Sequence, residues 1–195
     1  MEKQLTFFDL TKSDAFKSRK VHGGTLTKGK RKLARPISVK KWMHLTLKAS
    51  RAVGVHSLWH ARRREEITEL IKSVARKNGV AVGNGVNMGN HLHLQIKATS
   101  RQGFQRFLRT ITGLIARLCT GAKKGKAFGK FWDELAYSRI LTSSKEVLGL
   151  KGYFEANKVE RAKGYQAREK YLKCWNAWIK SLRPKAKGSK IHPDF

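Results

Sequence analysis

The chain has 195 residues, 40% of them hydrophobic, which is enough for one cored domain and too many for wholesale disorder. Lys and Arg number 43 against 13 Asp and Glu, a formal net charge of +30, so nucleic acid is the first partner to consider and an anionic membrane the second. No apolar run is long enough to span a bilayer, and the cysteines, Cys119 and Cys174, are too few for a disulfide framework or a Cys-rich zinc site.

In chain order, the opening MEKQLTFFDLTKSD lacks the basic start and apolar stretch of a secretory signal. A cytoplasmic protein without a membrane partner is expected. Residues 1–41 read as a basic flexible arm. Their VHGGTLTKGKRKLARPISVKK is rich in Gly, Lys and Arg and has no apolar period. It suits either a solvated tail or an arm that follows phosphates.

From Trp42 the texture changes. Trp42, His44, Thr46 and Lys48 alternate with Met43, Leu45 and Leu47, the period of a strand. Ile67, Leu70, Ile71, Val74 and Ala75 then recur at helical spacing, and Asn78-Gly79 is a fitting stop. Arg62, Arg63 and Arg64 open this helix, where the dipole disfavours cations. They are either a solvated face or phosphate contacts.

Two strands follow, with a Gly/Asn-rich junction near residues 87–90 and a possible bulge at Gly83 and Gly85. Ser100 is a candidate N-cap for a second helix, whose stripe is Phe104, Phe107, Leu108, Ile111, Leu114, Ile115 and Leu118. Arg106 and Arg109 lie off that stripe, and Lys123, Lys124, Lys126 and Lys130 follow in a basic loop. All six are candidates to hold a nucleic-acid backbone.

AYSRILTSS reads as a fourth strand, residues 144–162 as a third helix, and YQAREKYLKCWNAWIKSL as a further helix. The order strand, helix, strand, strand, helix, strand is the ferredoxin-like split βαβ pattern, an α+β fold with an antiparallel sheet and helices on one face. The expected organisation is an arm over 1–41, a domain over 42–164 and a basic helical or disordered tail over 165–195.

The most informative residues lie in GNHLHLQIK. His91 and His93 flank Leu92 on a strand, so both imidazoles leave the same face about 6.6 Å apart. At that spacing they can converge on one divalent cation, or simply hydrogen-bond on a half-buried face. Tyr153 and Asn157, in KGYFEANKVERAKG, are four apart and share a helical face. A tyrosine hydroxyl is a nucleophile once its proton is helped away, and an amide oxygen is a hard ligand for magnesium or manganese. Packing of this face on the sheet is the plainer alternative. His44 could neighbour the histidine pair, and Tyr137 reads as a packing or stacking residue.

At this point the chain resembles the single-tyrosine HUH transposases of the insertion-sequence-200 type, closest to the REP-associated tyrosine transposases of bacteria. NHLHLQIK resembles their histidine–hydrophobic–histidine motif. FWDELAYSRIL resembles the stretch ahead of their catalytic helix, and GYFEANKVERAKG resembles that helix. Lys158 stands where the family usually has proline, and Gly89 where proline is frequent.

The resemblance implies an HUH ferredoxin-like domain in which His91, His93 and Asn157 hold Mg2+ or Mn2+. It implies that Tyr153 attacks single-stranded DNA, with a REP-like hairpin, and forms a 5′-phosphotyrosine link. It further implies a nucleoid-associated protein, and a monomer over a homodimer. The alternative is a non-catalytic nucleic-acid-binding protein derived from a transposase.

Overall fold

A computed structural model describes residues 20–27 and 34–181. The strands are β1 (Val21–His22), β2 (Met43–Lys48), β3 (Val80–Asn87), β4 (His91–Ala98) and β5 (Tyr137–Ile140). The α-helices are α1 (Arg64–Lys77), α2 (Arg101–Thr120), α3 (Ser144–Lys163) and α4 (Tyr165–Ser181). They form one α+β unit around a five-stranded sheet of order β1-β5-β2-β4-β3, antiparallel throughout. With β1 set aside, the order is that of the split βαβ arrangement, its first and third strands central.

Local chemistry sets the ends of the helices. The Glu65 and Glu66 carboxylates oppose the positive end of α1, and the Asn78 amide donates to the Val74 carbonyl at its close. Only Arg64 of the three expected arginines lies inside α1, because Arg63 occupies its N-cap. The Ser100 hydroxyl accepts from the Gly103 amide, and Gly121 ends α2 in the left-handed conformation. At α3, Ser143 accepts from the Glu146 amide.

The period-two alternation of β2 and β4 divides the sheet. Met43, Leu45 and Leu47 lie beside Ile96, Leu94 and Leu92 in register. These apolar side chains meet Ile67, Ile71, Phe104, Phe107, Ile111 and Ile115 of α1 and α2 in the main core. The alternate positions carry His44, Thr46 and Lys48 beside Gln95, His93 and His91.

The expectation of helices on one face therefore needs correcting. α1 and α2 share the apolar face, but α3 covers the other one. Buried polar side chains on that face need partners and shelter from water, and α3 supplies both. Its Leu150 and Phe154 form a smaller cluster with Val86 and Leu141. A register shift between Val82 and Gly85 in β3 allows this. Val82 pairs with Ile96 on the core side, whereas Val86 pairs with His93 on the α3 side.

Part of the expected arm is also ordered. β1 pairs with the edge of β5, and the Arg35 guanidinium donates to the Ser138 hydroxyl at 2.6 Å. Gly23 makes this approach possible: its φ is 84°, and an added Cβ would lie 2.0 Å from the Ala136 carbonyl oxygen. The rest of the arm, 1–19 and 28–33, and the tail from 182 lie outside the described residues. α4 packs on α3, where a Cβ on Gly152 would meet the Trp175 indole at 2.0 Å. Among the described residues, no helix is long and apolar enough to cross a membrane.

Candidate active site on the polar face of the sheet

β2 and β4 lay down the site, and α3 closes over it. Thr46 and His93 are register partners, so their side chains leave the sheet side by side. The Thr46 hydroxyl lies 3.0 Å from His93 Nδ1 and 3.2 Å from His44 Nε2, and the two imidazole nitrogens are 3.1 Å apart. The Nδ1 side of His93 is thus held by neighbours within the sheet. Its Nε2 side points at α3, where the Tyr153 hydroxyl lies 3.4 Å away.

His91 stands beside His93 with ring centroids 4.8 Å apart and planes nearly perpendicular. Its Nδ1 is 2.6 Å from the Asn90 side-chain oxygen. An amide oxygen can only accept, so Nδ1 is the donor and Nε2 carries the lone pair. Asn157, one turn beyond Tyr153, is buried.

Burial governs the electrostatics. It pushes the His44 imidazole down to about 3, helped by the Arg139 charge, and His91 down to about 4, helped by Lys48. His93 falls well below the ordinary histidine value, first by burial and then through His44 and His91. All three rings are neutral at physiological pH and keep a lone pair.

The Tyr153 phenol is pushed up by burial. The neighbouring Asn157 side chain and the positive charge of Arg168 work in the opposite direction, while the Glu160 carboxylate adds to the rise. The pocket holds the hydroxyl protonated but already contains two groups that favour the phenolate.

Two neutral imidazoles and a buried amide form a donor set suited to a small divalent cation. No group of three His, Cys, Asp or Glu side chains among the described residues could hold a metal ion. A third protein ligand at this place would therefore be an amide such as Asn157.

β4 and α3 thus bring together His91, His93 and Tyr153, with Asn157 buried one turn further along α3. The basic candidates divide into two groups. Arg106 and Arg109 are exposed on α2, which covers the opposite face of the sheet, so they are not brought to this site. Lys123, Lys124, Lys126 and Lys130 lie in the loop after α2 and are exposed. Arg51 fastens that loop through the Lys130 carbonyl and the Phe128 ring. Asp133, which follows it, receives the Ser50 amide and donates its own amide to the Lys48 carbonyl. Lys48 is the register partner of His91, so this loop runs along the same end of the sheet as the site.

Arg62, Arg63 and Arg64 lie at that end too, after the segment 50–60 that wraps the β3–β4 turn. There the Leu58 amide donates to Gly89 and the Asn87 side chain donates to Leu58.

Three groups of residues were not singled out by sequence reasoning. Thr46 joins both histidines, and the alternation in β2 already put it on the side of His44. Arg139 and Glu146 form a partly buried ion pair between β5 and α3 at 2.5 Å. Trp59 lies under the Arg161 guanidinium, 3.6 Å from the ring centroid. Nothing in residue spacing joins the last pair. Tyr137 is buried, with its ring centroid 6.1 Å from that of His44.

The family model of IS200-like transposases matches residues 42–157. The chain is similar to a proposed transposase from Deinococcus radiodurans R1, known from its crystal structure, with 18% identity and a TM-score of 0.40. That likeness covers 65% of this chain and 98% of the other. No curated protein matches the chain.

Proposed function

This chain belongs to the IS200-like transposase family, and from that premise we propose that it nicks and rejoins single-stranded DNA through Tyr153. The observation that carries the proposal is the approach of the Tyr153 hydroxyl to His93 Nε2, 3.4 Å, within one chain. A nucleophile and a pair of imidazoles then lie together on the polar side of the sheet.

The reaction is a transesterification. The Tyr153 oxygen bonds to the phosphorus of a DNA phosphodiester as the bond to the 3′ oxygen breaks. The phenol proton is given up, the leaving oxygen takes a proton, and the downstream DNA stays on the protein as a 5′-phosphotyrosine. One phosphodiester replaces another, so rejoining needs no energy-rich cofactor.

His91, His93 and Asn157 would hold a divalent cation. Magnesium or manganese bound there would polarise a phosphoryl oxygen. The chain's own residues do the rest. Thr46 and His44 orient His93, Asn157 and Arg168 favour the phenolate, and the partly buried tyrosine stays within reach of a strand laid on this face. The net charge of +30 draws the strand in. One chain supplies both β4 and α3, which supports a monomer as the working unit.

The test uses single-stranded hairpin DNA from the flank of the protein's own gene, labelled at its 3′ end, with manganese and a denaturing gel. The label should move to a protein-linked band, and both EDTA and Tyr153→Phe should abolish it. A band that persists in Tyr153→Phe would assign the nucleophile elsewhere, with Tyr137 next in line. DNA binding by the wild type without any adduct would identify a non-catalytic binding protein.

A further inference from the structure

At the His91 end of the sheet, two guanidinium groups share one indole. Arg161, in the last turn of α3, lies 3.6 Å from the Trp59 ring centroid, and Arg64, at the start of α1, lies 5.5 Å from it. Trp59 belongs to the segment that wraps the β3–β4 turn, and its Cβ would lie 3.7 Å from one built on Gly89. Gly89 is two residues from His91. Arg161 also donates to the Asn87 carbonyl on the same turn.

The charges here are out of balance. Among the described residues, Arg64 reaches only the exposed Glu65 carboxylate, at 3.4 Å. Among the described residues no carboxylate pairs with Arg161. The nearby Glu160 is taken by Arg168, at 3.1 Å. Burial and the Arg64 charge both lower the Arg161 pKa, so the two cations repel across the indole. An indole can orient guanidinium planes, but it does not cancel their charge. An anion between them would.

Resting on the nicking proposal, we infer that Trp59, Arg64 and Arg161 form a phosphate subsite that grips the DNA backbone next to the scissile phosphodiester. The two guanidiniums supply forked donors for phosphate oxygens. Trp59 is the positioning residue that holds them at the mouth of the site. Arg161 shares α3 with Tyr153, so backbone capture and the nucleophile ride on one rigid element.

The experiment measures binding of the single-stranded hairpin DNA by full-length protein in EDTA, across a salt series, with thermal melting alongside. Each phosphate contact on a single strand contributes about 0.7 to the slope of log K against log salt. The double variant Arg64→Ala/Arg161→Ala should lower that slope by about 1.4. Trp59→Ala should lower it too, because both guanidiniums lose their platform, whereas Trp59→Phe should keep most of it.

An unchanged slope in the double variant overturns the subsite and makes the cluster a structural latch. If the loss of Arg161 unfolds the protein, Arg64→Ala alone decides: a fall of about 0.7 supports the subsite and no change overturns it. The two proposals fail separately. A wild type that forms no adduct but shows the slope change retains the subsite and loses the nicking. Normal adduct formation with no slope change does the reverse.

Discussion

The two faces of the sheet come from the same two strands, yet they are built for different ends. On one face Met43, Leu45 and Leu47 meet Leu92, Leu94 and Ile96 under α1 and α2, with nothing polar to satisfy. On the other, one residue along each strand, His44 and Thr46 meet Gln95 and His93 under α3. The first face contributes stability through buried apolar area. The second spends some of that stability to keep neutral imidazoles and a phenol together away from water. Substitutions on the two faces should therefore separate folding from chemistry.

The largest separation is expected at Tyr153. Tyr153→Phe should reduce the protein-linked DNA band to background while the melting temperature changes little, because only a hydroxyl is removed. A melt that falls with the band would make Tyr153 a packing residue.

Next comes the apolar face. Phe104 is fully buried between α2 and the sheet, and Phe104→Ala should cost about 3–5 kcal/mol in denaturant unfolding. Any remaining folded fraction should still form the adduct. A folded variant with no activity would show that the two faces are coupled.

A smaller effect is expected at Gly152. Its missing Cβ admits Trp175 of α4, so Gly152→Ala should loosen α4 from α3 and cost about 1–3 kcal/mol. Tryptophan fluorescence should report the change, with the core around Phe104 unaltered.

The smallest effect is at the corner between β5 and α3. Burial raises the Glu146 carboxyl, but the Thr142 amide and Arg139 outweigh it and hold it below the usual 4.5. A depressed folded value gives stability above pH 4.5 that is lost as pH falls through that value. Glu146→Gln should therefore melt below the wild type at pH 7, by about 1 kcal/mol. The gap should close in acid, and a gap that is constant with pH would rule the ion pair out as its source.

Much of this was legible in the residues. Alternation in β2 and β4 sorts core from site, and Ser100 marks the start of α2 by its capping chemistry. The register irregularity is visible in Gly83 and Gly85, but its consequence is not. Moving Val86 to the α3 side depends on which strand pairs with β3, a long-range fact.

The position of α3 was hidden for a related reason. The helix carries no strong apolar stripe of its own, because it faces histidines as much as hydrophobes. Trp59 and Arg161 meet only after the β3–β4 turn and the end of α3 have been brought together. Arg106 and Arg109 show the converse: their charge is plain in the sequence, but the side of the sheet they occupy is set by the packing of α2.

The way α3 is fastened has a consequence for the timing of local opening. Helices fray from their ends. Here the first turn is held by Ser143, Glu146 and Arg139, and the last turn by Arg161 on Trp59 and Asn87. Tyr153 lies midway, like a load at the centre of a beam supported at both ends. In hydrogen–deuterium exchange the amides around Tyr153 should be among the slowest of α3. Releasing either support should admit deuterium from that end first, long before the rest of the domain unfolds.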